Sequence, residues 1–395
     1  MKKLAFLMLF SLALVVIGLG LSGAGSVIPE MAEHFSISYA SAGRVFLFHG
    51  LGYFVTLIFG GMLGDFVFRG TLLRLGFTIV VLGFLGIVLG QSFSFLLFAF
   101  LLVGIGVGFV DCMINPVAQS LFPERPGTVL NVIHAFFGLG SLLAPRLYAV
   151  FRVQGYSFRE LYSVIAAFTI LTAFFFFFPF IPRNAREVSG RVIARTFTKK
   201  SFWFLGCTML LYAAGVSTLN GWLVTYCKEY GLSEARGAVF LSYFWLGLLC
   251  GRLALALLSE RLGYLTLMRG NALFGVLGTG LGVVLGVHMF WMPFLLFVSG
   301  FFLSTLVPLT ITYALVTFPD ISSTASGWVL FNNGLGTFLF PWLFGLVGAR
   351  FGFRVVLAFV PFALFGVFLF QYLLVALGKQ STEKKGAVTG AQGRA

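Results

Sequence analysis

The chain has 395 residues, of which 59% are hydrophobic and only 10% charged, with a mean hydropathy of +1.02. A soluble chain carries roughly a quarter charged residues, so a soluble globular class is excluded. The formal charge of +14 comes without a basic stripe interleaved with aromatics, which argues against a nucleic-acid binder.

The first apolar run, "LAFLMLFSLALVVIGLGLSGAGSVIP", follows Met1-Lys2-Lys3. It exceeds the roughly 20 residues that cross a bilayer and the roughly 7–15 of a signal peptide core, so a retained span is expected. Twelve such runs follow one another, at 4–29, 42–64, 73–91, 93–121, 127–151, 157–182, 201–227, 235–258, 264–287, 290–317, 323–349 and 353–377. The fold class expected is an all-α polytopic membrane protein of twelve transmembrane helices. The only long polar break, "RNAREVSGRVIARTFTKK", divides the spans six and six. The organisation expected is a six-helix bundle over 1–182, a solvated, partly helical connector at 183–200 and a second bundle over 201–378. The Gly/Ser/Lys-rich tail 379–395 is expected to be disordered.

With the N-terminus inside, Lys2, Lys3, Arg69, Arg74, Arg125, Arg261, Arg269, the connector and the tail share the cytoplasmic side. The outer loops then hold Arg44, Arg152, Arg159, Lys228, Arg236, Arg350 and Arg354. Loop Lys and Arg mark the cytoplasmic face, so both termini are expected there, in a cell (inner) membrane. Cys112, Cys207, Cys227 and Cys250 show no metal-ligand or disulfide spacing and read as small core residues.

In the fourth run, "GFVDCMINPVAQS" carries one carboxylate, Asp111, about 18 Å above the cytoplasmic end. The other acids lie in loops, at span ends or in the tail. An ionised carboxylate at that depth costs at least a few kcal/mol unless paired, hydrated or protonated, so Asp111 is expected to carry a coupling ion. Asn115 lies on the same helix face, and Pro116 leaves the Cys112 carbonyl without its usual donor. In the fifth run Asn131 and His134 share a face. Arg146 is expected to snorkel to the outer boundary, with a pairing to Asp111 as the alternative. His49 and the phenylalanines 174–178 read as packing or lipid contact.

The second half supplies further polar groups at similar depth. The seventh run has Ser217, Thr218, Asn220 and Trp222 around Gly215 and Gly221, where a helix can bend; the eighth has Tyr243 and Trp245. Ser304, Thr305, Thr310 and Thr312 flank Pro308 in the tenth, and Asn332 and Asn333 precede a Gly-Leu-Gly in the eleventh. Amides that donate and accept, beside aromatic faces, suit a neutral polyhydroxylated ligand. The substrate-binding residues expected are therefore Asn115, Asn131, His134, Asn220, Trp222, Tyr243, Trp245, Asn332 and Asn333. Arg252 reads as a gate or a backbone tether.

The chain also repeats itself. "FPERPGTVLNVIHAFFGLGSLLAP" (122–145) aligns without gaps on "FPDISSTASGWVLFNNGLGTFLFP" (318–341), an offset of 196 residues, and "LGDF" at 63 matches "LSER" at 258. Parallel repeats of six spans are the design of the major facilitator superfamily. "GMLGDFVFR" resembles that superfamily's signature through Gly61, Leu63, Asp65 and Arg69, although Phe66 and Phe68 stand at its usual Arg and Gly positions. The second copy, "LSERLG", keeps Glu260, Arg261 and Gly263. The resemblance implies that Asp65, Arg69, Glu260 and Arg261 gate the cytoplasmic helix ends, by an interaction made in one conformation and broken in the other.

"GFVDCMINP…LNVIHAFFGLGSLLAP" further resembles the fucose-permease-like branch of sugar–proton symporters. That resemblance implies a proton carrier at Asp111 and sugar contacts at Asn115 and His134. The branch's second acid, in the first helix, is missing from "LSGAGSVIP" here. The function expected is proton-coupled import of a sugar or similar solute by rocking of two halves. Sodium coupling, or export of amphipathic or lipid-like compounds favoured by 51 Phe, are the alternatives. No catalytic constellation, cofactor, metal site or nucleic-acid partner is expected; the partners are solute, coupling ion and bilayer, and the chain is expected to be a monomer.

Overall fold

Inside hydrocarbon a backbone must satisfy its own N–H and C=O groups, and long apolar runs do so as helices. The computed structural model describes residues 2–37, 39–42, 44–177, 190–232, 234–285 and 290–392, and among them it contains helices and turns but no strand. The first six long helices are α1 (Lys2–His34), α2 (Arg44–Phe66), α3 (Arg69–Leu89), α4 (Phe93–Leu121), α5 (Pro126–Val153) and α6 (Phe158–Phe177). Next come α7 (Lys200–Glu229), α8 (Glu234–Ala256), α9 (Tyr264–Leu285) and α10, in two pieces, Met292–Leu303 and Leu306–Thr317. The last are α11 (Ser322–Phe351) and α12 (Phe353–Gln392).

Eleven of these are long and apolar enough to cross a membrane. The twelfth, α9, has 22 residues, enough for about 33 Å. Together they make the twelve-helix, two-bundle fold expected.

Two local expectations need correction. The tenth span is not one helix, because Ser304 and Thr305 interrupt it; Pro308 has no N–H to give the Ser304 carbonyl. The seventh, with Gly215 and Gly221, is helical throughout. The helix of the last span continues to Gln392, into the segment expected without structure, since extending a helix is far easier than nucleating one. Of the connector, Gly190–Phe197 is helical, while 183–189 lies outside the described residues.

The chain divides into two compact units, Met1–Ser189 with Leu315–Phe331, and Gly190–Ala314 with Asn332–Ala395. Within the first, α1 packs on α5, and α4 packs on both α2 and α3. Within the second, α7 packs on α12 and α8 on α10. The internal repeat is written in their closest crossings. A side chain at Gly104 of α4 would collide with the His49 carbonyl of α2; one at Gly300 of α10 would collide with the Phe244 carbonyl of α8. These two glycines are 196 residues apart, the offset of the sequence repeat. Small residues at a crossing let helix backbones touch, which is how helices associate in lipid.

Candidate functional site

Ser92 starts α4 by accepting the Phe95 N–H at 3.3 Å, and an uncharged run then carries the helix to Asp111. The carboxyl group is buried. Its Oδ2 accepts a 2.6 Å hydrogen bond from the Tyr53 hydroxyl of α2, and its Oδ1 is buried with no hydrogen-bond partner. No cation pairs with it among the described residues, and the expected alternative, Arg146, is exposed.

One turn on, Asn115 is fully buried and engaged on every side. Its Nδ2 donates to the Asp111 carbonyl at 2.8 Å and, at 3.4 Å, to Ser326 Oγ of α11. Its Oδ1 lies 3.0 Å from His134 Nε2 of α5. With the amide oriented this way, Nε2 carries the imidazole proton and donates it. Asp111, Asn115 and His134, from two helices, therefore form one hydrogen-bonded cluster. Asn131 is also buried but donates its amide back to Gly127 O of its own helix at 2.9 Å. Its Oδ1 has no hydrogen-bond partner.

At the C-terminal end of α2, Asp65 is the cap of another helix. Its two oxygens accept the N–H groups of Ser323 and Thr324 at 2.9 and 2.8 Å, in the first turn of α11. Those N–H groups have no partner within their own helix, and the helix dipole favours an anion there. Arg69 completes the arrangement: Nη2 lies 3.2 Å from Asp65 Oδ1, and the guanidinium donates to the hydroxyls of Ser322 and Ser323 at 2.7 and 2.8 Å. The second copy is built differently. Glu260 accepts the neighbouring Ser259 hydroxyl at 2.7 Å, and Arg261 is exposed.

In the second unit the expected residues separate. The Trp245 indole of α8 donates to Asn220 Oδ1 of α7 at 3.0 Å, and both side chains are exposed, as is Tyr243. Trp222, expected at the ligand, is committed to helix packing instead. Its N–H donates to Pro341 O at 2.9 Å, its ring lies on Phe353, and it leaves no room for a side chain at Gly345. Asn332 is buried and Asn333 half-buried on α11. Arg252 is buried and donates to Ser304 O at 3.2 Å, the carbonyl that Pro308 leaves open, so it tethers backbone.

Two members of the site went unforeseen, Tyr53 and Ser326. Tyr53 lies in "HGLGYF", where a phenol in a glycine-rich span is the only signal; Ser326 is one of several hydroxyls in "SSTAS".

Among the described residues, the long apolar helices, the repeated half and the buried Asp111 carboxyl fit a membrane transporter. Residues 10–279 match the model of the Major Facilitator Superfamily, and the chain belongs to that family. It is 25% identical over 330 residues to Protein TsgA of Shigella flexneri, covering 80% of each chain, and 24% identical over the same length to Protein TsgA of Escherichia coli O1:K1. Its fold is similar to that of the E. coli fucose:proton symporter FucP, with a TM-score of 0.81 at 16% identity over 94% of this chain and 98% of that one. A bacterial homologue of the iron transporter ferroportin in an outward-facing state gives 0.79 at 15% identity, over 94% and 99%. The human organic anion transporter MFSD10 gives 0.73 at 17%, over 93% and 98%.

Proposed function

We propose that this transporter is a proton-coupled symporter of a small neutral polyhydroxylated solute of the sugar class, with Asp111 as the proton carrier. The observation that carries this reading is the state of the Asp111 carboxyl: buried, one oxygen on a neutral phenol, the other without a hydrogen-bond partner. A carboxylate so placed is costly while charged and comfortable once it binds a proton. Alternate exposure to the two sides of the membrane turns that preference into coupling, because the acid loads where protons are abundant and releases where they are scarce. Within the second unit, the Asn220–Trp245 pair offers the hydrogen bonding and aromatic surface that hydroxyl-rich solutes need. The fold similarity to a fucose:proton symporter adds support. In this reading the Asp65–Arg69 cap on α11 is the gate, made in one state and released in the other, and both termini face the cytoplasm.

The test uses purified protein in liposomes under an inward proton gradient, with internal pH followed as L-fucose, D-galactose and D-glucose are added in turn. Sugar-dependent acidification is expected, and Asp111→Asn should abolish uphill accumulation while leaving exchange of preloaded sugar largely intact. Flat internal pH with every sugar, alongside sodium-driven uptake or movement of a lipid-like solute in the same vesicles, would overturn the proton–sugar reading.

A further inference from the structure

Tyr53 has so far been given no task, yet among the described residues its hydroxyl is the group bonded to the coupling carboxyl. We infer that Tyr53 is the positioning residue of Asp111: it holds Oδ2 in both protonation states and reserves Oδ1 as the atom that takes and gives up the proton. The inference rests on the assignment of Asp111 as carrier.

Three observations carry it. The first is geometric: the 2.6 Å Tyr53–Asp111 bond crosses from α2 to α4 and uses Oδ2, whereas Oδ1 is buried and unpartnered. The second is the backbone beneath the pair. A side chain at Gly52 would strike the Leu101 carbonyl, one at Gly104 the His49 carbonyl, and one at Gly108 the Thr56 side chain 2.7 Å away. The two helices are therefore in backbone contact just before Tyr53 and packed closely through the Thr56 side chain just after it, which restrains the distance from its Cα to Asp111. The third is the ring: the Tyr53 phenol stacks on His49, one turn earlier on α2, at 6.4 Å between centroids and 17° between planes. A phenol braced in that way has little rotamer freedom left to lose when it bonds.

The chemistry follows from the donor set. A carboxylate accepts at both oxygens, and a neutral phenol donates to one of them. When a proton arrives from water on the accessible side, it forms an O–H bond at Oδ1, and the Tyr53 O–H···Oδ2 bond needs no rearrangement. Release breaks that same O–H bond and returns the proton to water. Were the proton to load at Oδ2, the phenol would face a hydroxyl oxygen, a weaker acceptor than the carbonyl oxygen that Oδ2 becomes when Oδ1 carries the proton. Among the described residues, the titratable groups nearby include His49 on α2 beside the ring, Cys112 next to the acid on α4, and His134 on α5, linked to the Asp111 backbone carbonyl through Asn115. Cys112 directs its thiol to Leu57 O at 3.6 Å.

The test reads the carboxyl directly and needs no solute. Infrared difference spectra between acidic and alkaline buffer would be recorded on the full-length protein in liposomes, for the parent, Asp111→Asn and Tyr53→Phe. A carboxylic C=O band that vanishes in Asp111→Asn identifies the acid. In Tyr53→Phe that band should move to higher frequency, because the hydrogen bond to its carbonyl oxygen is gone, and broaden as the freed group samples several rotamers. Tyr53→Phe keeps the ring and its stacking on His49, and an unchanged melting midpoint establishes that the fold is retained. An Asp111 band with the same frequency and width in Tyr53→Phe as in the parent overturns the positioning role alone. The absence of any band sensitive to Asp111→Asn across the physiological pH range overturns the proton-carrier reading, and the positioning role with it.

Discussion

A buried amide that spends both its ends on neighbours is an organiser, and Asn115 is one. Its Nδ2 is taken by the Asp111 carbonyl and Ser326, and its oxygen by His134. In the proposed reading Asn115 serves the solute site by orienting the His134 imidazole. Asn115→Ala leaves buried hydrogen-bonding groups unmet, at about 1–2 kcal/mol. It should raise the KM for sugar uptake about tenfold while changing the maximal rate much less, as read from the concentration dependence of uptake. Exposed pairs behave otherwise. The Lys3 ammonium, 3.0 Å from Glu124, holds that carboxyl below the usual range, but both side chains are more than half exposed. Water and salt screen such a pair, so Glu124→Gln should leave the melting midpoint unchanged within error from neutral pH downward.

At the scale of helices, two ends and one break decide what can move. The start of α11 presents N–H groups that Asp65 caps from α2, with Arg69 closing the ring of hydrogen bonds. Removing a buried, hydrogen-bonded carboxylate strands both the guanidinium and the N–H groups. Asp65→Ala should therefore destabilise the protein by about 3 kcal/mol, measured as loss of thermal stability in detergent. The break in α10 has a different remedy. Pro308 deprives the Ser304 carbonyl of its helical donor and Arg252 supplies one from α8, while Asn271 of α9 bonds Thr305 Oγ1 at 2.7 Å. Arg252→Ala should lower the melting midpoint clearly in the parent and less in a Pro308→Ala background, where the backbone N–H is restored. Equal effects in both backgrounds would mean that the tether does not compensate for the proline. The polar residues flanking Pro308 were visible as letters, but which carbonyl received which donor depended on a partner 52 positions away.

For the molecule as a whole, the distribution of Lys and Arg across alternating loops predicts sidedness. Single cysteines placed at Arg125 and Arg261 should react with a membrane-impermeant maleimide only from the cytoplasmic side. Cysteines at Gly155 and Arg354 should react only from the outside, tested in intact cells and inverted vesicles. The turns expected outside carry glycines in the left-handed region, Gly155 at φ 83° and Gly352 at 82°, 197 residues apart. The duplication thus reaches from sequence motif to turn conformation and helix crossing. It is not uniform, since Asp65 accepts backbone N–H groups of α11 whereas Glu260 accepts the hydroxyl of its neighbour Ser259.

Hydropathy was enough to read a membrane protein of twelve helices and self-comparison a repeated half, while the transporter reading came from the resemblance of the repeat and loop motifs to the major facilitator superfamily. The sequence also singled out Asp111, since one acid in an uncharged run is costly wherever the helix packs. Partnership was decided only by the tertiary structure. Tyr53 rather than Arg146 meets the carboxyl, Trp222 turns to Pro341, Asn131 bonds its own helix, and Arg252 answers a carbonyl on α10. Helical spacing says which residues share a face. Which face meets which helix is set by where glycines let backbones touch, and that is a relation between segments some fifty residues apart.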